Sequence, residues 1–330
     1  MSTTVPRQRP RGASSPPLTG STPVGAAQAG VTLSIWWTTA VAALVAVATT
    51  YGLVVDGAYR SVDPLVEQTW RAQDAVTVAL LPVLVWAARR AAAGSVRAHL
   101  VWLGLLMWVA YCYAHLAFGA PFNDVFLVYV AVLALAGFGL LDGLLRLDVV
   151  TVGPVFARAP RRAAAWFLIV AGLGIAGLWL SDIAVELTGG TPANLHLAGL
   201  PNPTWVLDLG WLIPMAVGAA VLLRRRHEAG PVVATVLLVM LWVLSVAMLA
   251  ITPFAVAAGL GDDPSVASQL VVFTVLFVVL AAVETGLLVT GARGGGEVPG
   301  PWLRRGWWPG AGLGPGIDGS QPARTSSSRS

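Results

Sequence analysis

Runs of about 20 apolar residues recur along this chain, separated by short stretches where Arg, Asp, Asn, Pro and Gly collect. As helix, such a run is long enough to cross a hydrocarbon core of about 30 Å. The pattern predicts eight spans, over 32–55, 75–93, 99–118, 125–145, 163–182, 204–223, 232–252 and 267–290. Pro253 is expected to mark the far end of the seventh, since proline breaks a helix interior. Residues 1–31 and 292–330 are too rich in Pro, Ser, Gly and Arg to build a core, and both predict disordered tails around a transmembrane domain of 32–291. The first apolar run is too long for a signal peptide and is expected to remain as an anchor. The expected fold class is an all-α, polytopic integral membrane helix bundle of about eight transmembrane helices.

Charge orients this bundle. All 20 basic residues are Arg. With eight spans and both termini cytoplasmic, every arginine except Arg60 and Arg71 falls on the inner side, as the positive-inside rule requires. The same arginines account for the net charge of +4, so no nucleic-acid partner is expected. Composition agrees: 56% of residues are hydrophobic and only 11% charged, against roughly 25% charged in a soluble chain. The single cysteine, Cys112, excludes an internal disulfide. Trp302, Trp307 and Trp308 beside Arg304 and Arg305 fit either a contact with the inner lipid surface or a disordered tail.

Polar groups collect at the opposite, outer level. Asp74 opens span two. Tyr111 and His115, four residues apart, share one face of span three. Tyr113 lies between them, and Asn123 and Asp124 open span four with Tyr129 somewhat deeper. Asp182 closes span five, while Asp208 sits one turn into span six between Trp205 and Trp211. Each residue taken singly has an ordinary role: Asp74, Asn123 or Asp124 as a helix N-cap, Tyr and Trp as interfacial anchors. Together they outline a polar pocket near the extracytoplasmic face, of the concave kind that holds a ligand. Asp142 and Glu284 are isolated acids near the inner helix ends, within reach of Arg146 and Arg293.

His115, Asp124 and Asp208 are residue types that bind a divalent ion or relay protons, but no HExxH-like spacing accompanies them, and no metal is expected. The absence of a P-loop, GxSxG, CxxC or dinucleotide fingerprint leaves no cofactor to expect. A loose internal duplication relates span two to span six: Asp74 and Asp208 lie 134 residues apart, Pro82 and Pro214 132. Arg and Pro are common at helix ends, so chance also produces such a match.

QDAVTVALLPVLVW (73–86), GSVRAHLVWLGLLMWVAYCYAHLAFGAPFNDVFLVYVAV (94–132) and NPTWVLDLGWLIPMAVGAAVLLRRR (202–226) resemble an uncharacterised family of bacterial polytopic membrane proteins. The resemblance covers roughly spans two to six, and Tyr113, Asn123, Tyr129 and Asp208 belong to its pattern. That pattern carries an aromatic where His115 stands here, which counts against a mechanism built on His115. It implies a fold and a bacterial cell membrane, and no activity.

Three functions fit these residues. The favoured one is non-enzymatic: a multi-pass membrane protein whose outer pocket binds or transports a small solute, ion or lipid headgroup. An alternative is an integral-membrane enzyme using carboxylate acid/base chemistry on a lipid-linked or extracytoplasmic substrate. A third is an interaction or scaffold protein with no small-molecule site. The expected partners are the lipid bilayer and a small-molecule or lipid ligand; oligomeric state is not legible.

Overall fold

The computed structural model describes residues 24–59, 63–190, 202–293 and 302–303, with side chains from residue 35 onward. Those residues form eight helices long and apolar enough to span a membrane. They are α1 (Val24–Val54), α2 (Pro64–Ala92), α3 (Val96–Gly119), α4 (Phe126–Arg146), α5 (Arg161–Leu187), α6 (Pro203–Arg224), α7 (Ala229–Ala257) and α8 (Pro264–Ala292). Among the described residues there is no strand; Leu147 and Leu303 form one isolated bridge. Short 3-10 turns at Gly153–Phe156 and Leu260–Asp262 complete the connections.

Three helices that start at the tyrosine-bearing end share one opening. Asp63-Pro64, Asn202-Pro203 and Asp263-Pro264 each place a side-chain oxygen on the backbone N–H two residues on, at 2.8, 2.9 and 2.8 Å. Proline at the first helical position gives up a donor that would be orphaned anyway.

This corrects the reading of α2. The helix begins at Pro64, so the polar stretch PLVEQTWRAQ is helix rather than loop, and Asp74 lies inside it instead of capping it. Asp182 likewise lies within α5, which continues to Leu187. Pro253 lies inside α7, which runs on to Ala257, because membrane helices tolerate proline where neighbouring groups take up the freed carbonyl. Nor does Asn123 or Asp124 cap α4: the cap position is Val125, whose N–H donates to Asn123 Oδ1 at 3.2 Å in a turn just ahead of the helix.

α3 is the axis of the bundle. Its membrane window is 89% buried, against 6% for α8. It packs on α2, α4 and α7, and α2 also packs on α7. A side chain at Gly104 would collide with Val239 and the Val236 carbonyl, so glycine sets how closely α3 and α7 approach. The second half repeats the neighbour order of the first: α5 packs on α6, α6 on α7 and α7 on α8, as α1 on α2, α2 on α3 and α3 on α4.

At the arginine-bearing end, Trp302 folds back onto the bundle. Its indole N–H donates to the Gly94 carbonyl at 3.1 Å, and its ring lies 5.2 Å from that of His99. Its own carbonyl accepts from Asp148 N at 3.0 Å. Trp302 is buried in protein, while Trp307 and Trp308 lie outside the described residues.

Candidate functional site

Asp208 owes its position to an irregularity in α6. Pro214 has no N–H to return to the preceding turn, and the helix widens into a π turn over Asp208–Leu212. The Ile213 N–H reaches back five residues to the Asp208 carbonyl. Single π turns of this kind recur at functional sites. This one directs the buried Asp208 side chain between α3 and α5. There the Tyr111 hydroxyl donates to Oδ1 at 2.6 Å, and the Trp179 indole N–H donates to Oδ2 at 2.8 Å. No arginine forms an ion pair with it; among the described residues the ion pairs are Glu67–Arg71 and Asp142–Arg146.

His115 extends this network by one turn of α3. Nδ1 lies 2.9 Å from the Tyr111 carbonyl, which only accepts, so the ring proton on that side is on Nδ1. Nε2 then faces the Thr204 hydroxyl at 3.1 Å. The His115 ring stands edge-on to Tyr111, with centroids 4.4 Å apart. Both nitrogens are therefore engaged inside the protein.

Asp74 centres a second network on another side of α3. The Tyr59 hydroxyl donates to its Oδ2 at 2.6 Å. Tyr59 sits in the α1–α2 turn, its ring edge-on to Trp70 at 5.3 Å. Burial above all, and then the Asp74 carboxylate beside it, push the Tyr59 hydroxyl well above the ordinary tyrosine pKa. The Tyr129 hydroxyl lies next to that of Tyr59 and accepts from Asn123 Nδ2 at 3.2 Å. Asn123 also reaches the Ala58 carbonyl at 3.4 Å, which ties the α1–α2 turn to the α3–α4 turn. The Tyr113 ring is 5.9 Å from Tyr129, and its hydroxyl donates to the Val45 carbonyl at 3.4 Å. Close by, Arg71 donates to the Leu53 carbonyl at 3.1 Å rather than pairing directly with Asp74.

The polar residues of this end thus divide. Tyr111 and Tyr113 are two positions apart on a helix and leave α3 in nearly opposite directions, Tyr111 toward Asp208 and Tyr113 toward Tyr129. Asp124 is exposed and joins neither network. Asp182 is buried one turn beyond Trp179, and Trp211 is half-buried on the π turn. His115, Asp124 and Asp208 do not converge, and among the described residues no group of three His, Cys, Asp or Glu is placed to hold a metal ion.

Tyr59, Trp179 and Thr204 are the partners that the sequence reading did not single out. The usable signal was Trp179, three residues before Asp182 on the same face of α5. Two further polar atoms stand out. Trp205 Nε1, one turn before Asp208, is buried with no acceptor among the described residues. Glu284 is buried on α8 beside Ser245 of α7, with Oε2 unpartnered, instead of reaching Arg293. Asp142 does pair with Arg146, at 2.8 Å.

No family model matches the chain, and comparison with curated proteins and with solved structures gives no match.

Proposed function

We propose that the protein is a transporter of a bacterial cytoplasmic membrane that moves a small solute together with protons, with Asp208 carrying the proton. One observation supports this reading above the others: a carboxyl group inside the membrane-spanning part, facing no cation among the described residues and held by two neutral donors at a π turn. Ionisable groups in such places are functional by default, because their insertion is costly.

Magnitudes favour an exchangeable proton. An aspartate costs about 2.5–3.5 kcal/mol at a helix centre on insertion scales, and less at the depth of Asp208, one turn into α6. Hydrogen bonds to a charged group contribute about 1.5–3 kcal/mol each. Two such bonds offset a cost of that size, so the carboxylate is tolerated there and both protonation states have partners. As carboxylate, Asp208 accepts from both Tyr111 and Trp179. As carboxylic acid, it donates from Oδ1 to the Tyr111 oxygen and still accepts from Trp179, while the Tyr111 hydrogen turns away from Oδ1. The proton therefore changes the bond between α3 and α6, the kind of differential contact that shifts a conformational equilibrium. The unpartnered N–H of Trp205 offers a donor to an oxygen-bearing solute one turn from Asp208.

The test is charge movement in proteoliposomes adsorbed on a capacitive sensor. A pH jump is expected to drive a transient current with the wild type and none with Asp208→Asn. Equal currents from both would overturn the proposal.

A further inference from the structure

At the arginine-bearing end, away from both networks, two cavities adjoin. The first is a vestibule of about 890 Å³ between the start of α5 and the end of α6, walled by Arg161, Arg162, Arg224 and Arg226. The second is a slot of about 310 Å³ where α8 meets α3, α5 and α7, lined by Leu100, Leu238, Val239, Leu287 and Leu288. They share Ala159, Pro160, Arg161 and Leu223, so Arg161 stands at the junction. None of the four vestibule arginines has an acid partner among the described residues, where the ion pairs are Glu67–Arg71 and Asp142–Arg146. Arg224 is steadied by the face of Trp166, its guanidinium 5.3 Å from the ring centroid. The first turn of α5 opens into the same vestibule with no acidic residue and no side-chain cap, which adds backbone N–H groups to the cationic wall.

We infer that this composite cavity is a binding site for one anionic phospholipid of the adjacent leaflet, its phosphate on Arg161 and Arg224 and one acyl chain in the slot behind α8. Orientation needs arginines near the membrane surface, but it does not need four of them around one concavity. Nor does it need that concavity to continue into a leucine-lined slot within the bundle. A guanidinium fork matches phosphate geometry, and basic pockets between membrane helices bind anionic headgroups. The apolar slot selects a lipid over free phosphate, because an inorganic ion leaves it unfilled.

Thermal unfolding of the full chain in neutral detergent tests this, with added phosphatidylglycerol, phosphatidylcholine or inorganic phosphate. Ligand that binds only the folded state raises the midpoint. Phosphatidylglycerol is expected to raise it by several degrees and phosphatidylcholine to leave it unchanged. The R161Q/R224Q double variant is expected to lose that increment, and Leu288→Trp, which fills the slot, to reduce it. An increment that persists in R161Q/R224Q, or one matched by phosphate and indifferent to Leu288→Trp, overturns the proposal. Native mass spectrometry of the wild type decides independently of how the variants fold: one retained phosphatidylglycerol supports the site, and a graded series of weak adducts contradicts it.

Discussion

The Tyr111 hydroxyl and the Asp208 carboxylate, 97 residues apart in the chain, meet at 2.6 Å inside the membrane-spanning part of the protein. The first half holds a counterpart. Tyr59 meets Asp74, the residue that the loose duplication aligns with Asp208, also at 2.6 Å. The two pairs differ in setting. Asp74 has Arg71 one turn away on its own helix, whereas among the described residues Asp208 is met by the neutral donors Tyr111 and Trp179. The proposed function assigns the proton to the group without a described cation nearby, Asp208, and leaves Asp74 as a structural tie.

Gly52 makes the Asp74 tie possible. A Cβ there would collide with both Asp74 Oδ2 and the Tyr59 hydroxyl. Gly52→Ala is expected to destabilise the protein by about 1–3 kcal/mol, the usual cost of forcing an extra carbon into a packed site. The same change in a Tyr59→Phe background should cost less, because the crowding hydroxyl is gone. Thermal unfolding of the four proteins in the cycle checks this; equal costs in both backgrounds would separate Gly52 from the pair.

Alkaline pH should weaken the same tie. Tyr59 in the unfolded chain ionises near pH ~10, and burial holds the folded group well above that. Its contribution is therefore complete below about pH 10 and is lost as pH rises through the folded value. Wild-type unfolding midpoints should fall above about pH 10 more steeply than those of Tyr59→Phe. Parallel curves would contradict this.

The arginine distribution predicts which end faces the cytoplasm. Cys112 is buried and should give little labelling of its own. An impermeant maleimide applied to intact cells should label Asp124→Cys, an exposed position at the tyrosine-bearing end. Arg225→Cys, exposed at the other end, should react only after permeabilisation. The reverse pattern would invert the topology.

Much of the architecture was legible, because every apolar run must hide its backbone in a helix. The span expected over 99–118 is α3 at Val96–Gly119, and 204–223 is α6 at Pro203–Arg224. Hydropathy failed where a helix outruns its apolar stretch. α2 begins about ten residues before the predicted start, since Glu67 and Arg71 read as loop. Asp63-Pro64 was the legible sign of that start. The site was half legible. Asp74, Tyr111, Asn123, Tyr129 and Asp208 all sit in the two networks, but hydropathy carries no information on which face of α3 each partner meets. Two networks therefore stand where one pocket was expected. Trp179 and Tyr59 were missed because a lone aromatic near a helix end reads as an interfacial anchor.

Infrared difference spectroscopy of the reconstituted protein tests the central claim that Asp208 exchanges a proton within the membrane. On acidification the wild type should gain a carboxylic C=O band that is missing from Asp208→Asn, retained in Asp74→Asn and shifted in Tyr111→Phe. A difference spectrum in Asp208→Asn identical to that of the wild type, with the variant folded, would contradict the account.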